Sequence, residues 1–266
     1  MIGAIIGDVI GSTYEFDCPK TTEFELFPEH SRFTDDTVMS IATAYSILHD
    51  VPYDKIYRAL GRKYPKSGYG GMFKTWIASD TAATYDSYGN GSAMRVSPIG
   101  YAYNDVAKVL EEAYRSAEVT HNHIEGIKGA QATALAIFMA RKNQSKDDIR
   151  SKITALFGYD LTRTCDTIRP TYVFEASCQK TVPEAIIAFL DSTSFEDAIR
   201  KSISLGGDAD TLACITGSIA QAFYKSIPRY MAQKALSTLP KKFLRIIKEF
   251  NIKYRVDTKY ESHTIS

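Results

Sequence analysis

The chain has 266 residues, 44% of them hydrophobic, which is enough to build one sizeable core and leads us to expect a single domain over 1–266. Thirty-two basic against 31 acidic side chains leave a formal charge of +1, not the one-signed field that follows a phosphate backbone, so a nucleic-acid partner is not expected from composition. The apolar runs are shorter than the ~18–20 residues that cross a bilayer, Asp8 interrupts the first of them, and the amino terminus carries no basic leader, so neither a membrane span nor a secretory signal is expected. Cys18, Cys165, Cys178 and Cys214 follow neither a disulfide framework nor a C-x-x-C pattern, which fits a reducing cytoplasm with buried thiols.

In chain order, Gly3, Gly7 and Gly11 recur every four residues. On a helix they form a stripe without side chains, which costs about 1 kcal/mol per glycine against alanine and must be offset by close packing or by a site. Helices are predicted over 35–50, 53–61, 104–118, 146–157, 183–191, 195–204, 209–225 and 229–237. Two more follow from the three- and four-residue spacing of Ile124, Ile127, Gln131, Ala134, Leu135 and Phe138, and of Phe243, Ile246, Ile247 and Phe250. Asn104 with Asp105, Ser145 with Asp147 and Asp148, and Ser194 with Glu196 and Asp197 supply capping oxygens and first-turn acids. Residues 171–175 are the one strand candidate, 62–71 and 158–182 read as long connections, and the polar tail after Tyr254 is expected to fray. The class is all-α.

Two acidic motifs carry chemistry. Residues 34–37 read Thr-Asp-Asp-Thr and residues 206–211 read Gly-Gly-Asp-Ala-Asp-Thr, each directly before an apolar helix. Alone, the first is an ordinary helix start with a capping threonine and dipole-compensating acids. Together they point further: if the two helix starts converge, Asp35, Asp36, Asp208 and Asp210 bring up to four like charges together, a conflict that magnesium or manganese resolves by taking hard oxygen ligands in a binuclear site. Ser87 to Gly91 is a glycine-interrupted polar loop whose N–H groups suit a diphosphate, although Asn-Gly is also a plain turn signal.

These blocks resemble the ADP-ribosylglycohydrolase family. They are Gly-Asp-Val-Ile-Gly-Ser-Thr-Tyr-Glu at 7–15, Thr-Asp-Asp-Thr at 34–37, Ser-Tyr-Gly-Asn-Gly-Ser-Ala-Met-Arg at 87–95, Thr-His at 120–121 leading to Gly126, Gly129 and Ala130, and Gly-Gly-Asp-Ala-Asp-Thr at 206–211. The resemblance implies an orthogonal multi-helix domain with two divalent cations, Mg2+ or Mn2+, below an ADP-ribose cleft. It makes Thr34, Asp35, Asp36, Asp208, Asp210 and Thr211 the metal ligands and matches Glu15 to a mobile glutamate that gates the site or joins the metal shell; Glu15 is also the candidate acid. It assigns Ser87, Tyr88, Gly89, Asn90, Gly91 and His121 to ADP-ribose, with Tyr88 for stacking and Asn90 for hydrogen bonding, and leaves His123 facing solvent. One departure is Ala82, where some relatives carry an adenine-stacking aromatic residue; Tyr85 is the nearby substitute.

The implied activity is hydrolysis of the glycosidic bond between ADP-ribose and a modified protein or small acceptor, with Asp36 or Asp208 as base. Nucleic acid would enter only as a modified substrate. A non-catalytic ADP-ribose reader and a two-metal diphosphate hydrolase are the alternatives, and the sequence does not fix the bond cleaved.

Overall fold

The computed structural model describes residues 1–256 and 259–261. Among them the chain forms helices α1 (Ile2–Gly11), α2 (Asp35–His49), α3 (Tyr53–Lys63), α4 (Gly71–Ala78), α5 (Ser97–Ala102), α6 (Val106–Glu118) and α7 (Ile124–Arg141). It continues with α8 (Lys146–Phe157), α9 (Cys165–Ile168), α10 (Cys178–Asp191), α11 (Phe195–Ser204), α12 (Ala209–Tyr224), α13 (Arg229–Ser237) and α14 (Lys241–Lys253). A short parallel pair joins β1 (Ser226–Pro228) to β2 (Lys259–Glu261), with Ser226 opposite Lys259. The all-α class holds.

Helices that are apolar or small all round sit at the centre, because they leave no face suited to water. All ten residues of α1 are buried, as is α12 from Ala209 to Ala222, and α7 is buried along most of its length. Helices with a clear polar face, such as α3, α6, α11 and α14, cover this centre and bury one stripe each.

The glycine stripe of α1 lies on α12. A Cβ at Gly3 would sit 2.2 Å from Gly217 O, one at Gly7 would sit 2.0 Å from Ala213 O, and one at Gly11 would sit 2.4 Å from Asp210 Cα. Gly217 meets Gly3 in return, its own Cβ position lying 2.3 Å from Gly3 O. The two helices thus touch backbone to backbone, and this contact offsets the helix-weakening effect of glycine.

Several boundaries differ from the sequence reading. Residues 171–175 form no strand: Val173 and Phe174 are exposed at 73% and 52%, and the N–H groups of Thr171 and Tyr172 turn back to Ile168 O at 3.2 and 3.0 Å, while the contact with the polar loop comes just after the segment, where Asn90 N–H donates to Ala176 O at 2.8 Å and Gly89 bridges Ser177. The connection at 62–71 is shorter than predicted, since α3 runs to Lys63 and α4 begins at Gly71, burying Phe73, Trp76 and Ile77. The connection at 158–182 contains α9, and α10 starts at Cys178 with Pro183 inside it, where proline deletes one backbone bond from an otherwise buried helix. In the tail, Lys259–Glu261 pairs with β1 and is not frayed, while 257–258 and 262–266 lie outside the described residues. Asp105, not Asn104, caps α6, accepting from Lys108 N at 3.0 Å.

The backbone contact yields a direct test. Gly7→Ala should force α1 away from α12 and lower unfolding free energy by at least about 2 kcal/mol, the scale of overpacking a tight core, as measured by urea denaturation.

Candidate active site

The close approach of α1 to α12 sets Asp8 against Asp210. Oxygens of Asp8, Asp36 and Asp210 lie within 4.8 Å of one another, as do those of Glu15, Asp208 and Asp210, so Asp210 joins two triads. The structure therefore brings together the two acidic motifs singled out in the sequence. It also adds Asp8, which the sequence reading placed in the 7–15 block but gave no role in the site; the available signal was a carboxylate set beside a glycine of an otherwise apolar helix.

Asp8 is fully buried and organises the start of α2. Its carboxylate accepts Thr34 N at 3.0 Å, Thr34 Oγ1 at 2.6 Å, Thr37 N at 3.1 Å and the Thr37 hydroxyl. Thr34 is also the α2 N-cap, its Oγ1 accepting Asp36 N at 3.4 Å. Capping and site-building thus use the same hydroxyl. On the other side, Gly206 and Gly207 have φ of +87° and +74°, and a Cβ at Gly207 would meet the Tyr172 ring at 2.5 Å, so this left-handed turn into Asp208 requires glycine.

Burial pushes these carboxyls toward the protonated form. It raises Asp8 to about 6 despite its four donors, and raises Asp35, Asp36 and Asp210, each further raised by neighbouring carboxylates. Glu15, half-buried at the mouth, is raised to about 7 by burial and then by Asp208. None of the ion pairs among the described residues involves Asp8, Glu15, Asp35, Asp36, Asp208 or Asp210. Asp36, 2% exposed, leaves Oδ1 without a hydrogen-bond partner, and its Oδ2 meets Thr211 Oγ1 at 3.4 Å. A cluster of hard oxygens with an unpartnered buried carboxylate oxygen fits divalent cations.

A cleft of about 560 Å³ opens above these acids. Ser87, Gly89, Asn90, Gly91 and His121 line it together with Thr34, Asp35, Asp36, Asp208, Asp210, Thr211 and Glu15. Tyr88 does not: it is 53% exposed, and its ring packs edge-on to His123 at 5.5 Å. His123 is half-buried and caps α7 through Nδ1, which accepts Glu125 N at 3.1 Å, so it does not simply face solvent. Asn90 donates its side-chain amide to Asp208 Oδ2 at 2.8 Å and thereby ties the polar loop to the acids. Two loop N–H groups expected to face an anion are engaged within the protein, Gly89 with Ser87 Oγ and Asn90 with Ala176 O. His121 is buried, pairs through Nδ1 with Thr120 Oγ1 at 2.7 Å, and is held neutral by burial and by nearby Arg95. Tyr85 and Phe174 supply aromatic surface on the cleft wall, whereas Ala82 is not part of it.

Lys20 fixes the rim. Its ammonium donates to Arg169 O at 3.0 Å, Tyr172 O at 2.5 Å and Leu205 O at 2.5 Å, joining the segment after Glu15 to the loop before α10 and to the turn before Asp208.

The fold and site define an all-helical protein with convergent carboxylates beneath a polar cleft. The sequence model of the ADP-ribosylglycohydrolase family matches residues 1–256, and the chain belongs to that family of glycohydrolase enzymes. It is 27% identical to ADP-ribosylhydrolase ARH3 of Homo sapiens over 84% of each chain. It is also 27% identical to ADP-ribosylarginine hydrolase Tri1 of Pseudomonas putida, over 84% of this chain and 69% of that one. A solved structure described as an ADP-ribosylglycohydrolase-related protein complex shares the fold at a TM-score of 0.69 and 23% identity, covering 96% of this chain and 95% of the other. Among the described residues no helix is long and apolar enough to cross a membrane.

The charge balance predicts how pH acts. The cation-free folded state holds protons that free carboxylates release near pH 4, so its stability should fall as pH rises through about 6 and 7, the values of Asp8 and Glu15. Mn2+ must displace those protons, so calorimetric titrations should show tighter binding at pH 8 than at pH 6; pH-independent affinity would contradict this. Lys20→Met should weaken Mn2+ binding severalfold, measured in the same titration, because two rim segments lose their common tether.

Proposed function

We propose that the chain, acting as one domain, is a divalent-cation-dependent hydrolase that cleaves the glycosidic bond between ADP-ribose and a modified side chain or small acceptor and releases ADP-ribose. The observation that carries this reading is the cluster of buried carboxylates without counter-ions, opening into a cleft large enough for a nucleotide sugar, in a chain of this family. The four thiols of the chain are free, which fits work in the cytoplasm.

Thr34, Asp35, Asp36, Asp208, Asp210 and Thr211 would hold two ions, Mg2+ or Mn2+. When bound, these supply the charge that orients vicinal ribose hydroxyls and polarises a water. Asp8 holds Thr34 and Thr37 in place for that task. Neutral His121, Ser87, Gly89, Asn90 and Gly91 form the wall for the remainder of ADP-ribose, and Tyr85 offers an aromatic face where Ala82 offers none. Asp36 or Asp208 takes the proton of the attacking water. Glu15, poised between its two protonation states near neutral pH, passes a proton to the departing group. Water adds across the bond through an oxocarbenium-like state, its hydroxyl going to the anomeric carbon.

Free ADP-ribose released from defined conjugates, with Mg2+, Mn2+ or EDTA present, tests the proposal. Release should require the cation, and Asp208→Asn with Asp210→Asn should reduce it to background while leaving helical content unchanged by circular dichroism. Binding without release would make the protein a reader, and AMP as the product would make it a diphosphate hydrolase.

A further inference from the structure

The formal charge of +1 is the sum of two opposed parts. From residue 225 onward there are ten Lys and Arg against three Asp and Glu, a net of +7, which leaves residues 1–224 at −6. Much of the positive part lies on α14. This helix buries Phe243, Ile246, Ile247 and Phe250, and so turns Lys241, Lys242, Arg245 and Lys248 outward, all of them exposed. None of these four forms an ion pair among the described residues; the one acid on the helix, Glu249, pairs with His49 at 3.8 Å. The row spans about 10 Å at the helical rise.

The amino-terminal end of α14 abuts the rim of the cleft. Phe243 packs against Tyr64 at 4.8 Å and Phe33 at 5.8 Å, and Phe33 immediately precedes Thr34. Lys63 and Lys66, on either side of Tyr64, are exposed and have no ion-pair partner among the described residues, and Lys66 lines the cleft. A cationic track therefore runs from the cleft mouth along the outer face of α14.

We infer that this track is a docking surface for the phosphate backbone of nucleic acid, which would hold the enzyme beside substrates on or near a nucleic-acid strand. Lysine is depleted at interfaces between proteins, whereas phosphates select it for its charge. A bilayer surface is the poorer match, because α14 commits Phe243, Ile246, Ile247 and Phe250 to the core and leaves only Leu244, 37% exposed, and Ile252, 69% exposed, to reach lipid. The aromatic rings along the track are engaged within the protein, Tyr64 against Phe243 and Tyr45 beneath Lys242, so recognition is of the backbone and independent of sequence.

The test is fluorescence anisotropy of a short fluorescein-labelled DNA duplex titrated with the full chain across a salt series, a readout that involves no turnover and so stands apart from the catalytic reading. Binding should weaken steeply with salt, with a log–log slope of about −4 if four phosphates are neutralised. Lys241→Glu, Lys242→Glu and Lys248→Glu combined should reduce affinity more than tenfold and flatten the slope, while release of ADP-ribose from a small conjugate stays unchanged. Should the triple variant lose its circular dichroism signal, Arg245→Ala alone must still weaken binding and flatten the slope. No binding by the unaltered chain at low salt, equal binding by the folded variants, or capture by phosphatidylserine vesicles in preference to DNA would each overturn the inference.

Discussion

The site depends on backbone meeting backbone between α1 and α12. Only where three glycines face Gly217, Ala213 and the start of α12 can the two helices come close enough to place Asp8 and Asp210 in one cluster. A methyl group on that stripe would push the start of α12, and Asp210 with it, away from Asp8. The glycine pattern is thus as much a part of the acidic centre as the acids, although it donates no oxygen to it.

The second constraint is electrostatic. Folding gathers six carboxylates on one wall, and no basic side chain pairs with any of them among the described residues. Such an arrangement is tolerable only when protons or cations occupy it, which is why burial drives Asp36 and Asp210 toward neutrality here. Hydroxyls of Thr34 and Thr37 and the amide of Asn90 orient individual oxygens but add no positive charge. The fold stores a demand for charge at the bottom of its cleft.

Much of this was legible in the residue order. Both acidic motifs precede helices, the polar loop reaches the cleft, and the glycine stripe packs as its spacing implies. What stayed hidden depends on contacts between distant segments. Asp8 looks like a break in an apolar run until Thr34 and Thr37 fold over it. Tyr88, flanked in sequence by the cleft residues Ser87 and Gly89, turns outward because its backbone carbonyl is held by Cys178 N and its ring rests on His123. Residues 171–175 have the composition of a strand but find no neighbouring strand, and Thr171 and Tyr172 bond back to Ile168 instead. The basic track was masked for a simpler reason, since whole-chain charge averages over regions of opposite sign.

The bond from the Asn90 amide to Asp208 gives the cleft a thermodynamic symmetry. One end of that link belongs to the loop beside the nucleotide wall and the other to the acids beneath it. Whatever settles on the loop changes the energy of the carboxylate, and whatever ligates the carboxylate changes the loop. Under the proposed function, any coupling carried by this bond is reciprocal: ligand and ion alter each other's affinity by the same factor.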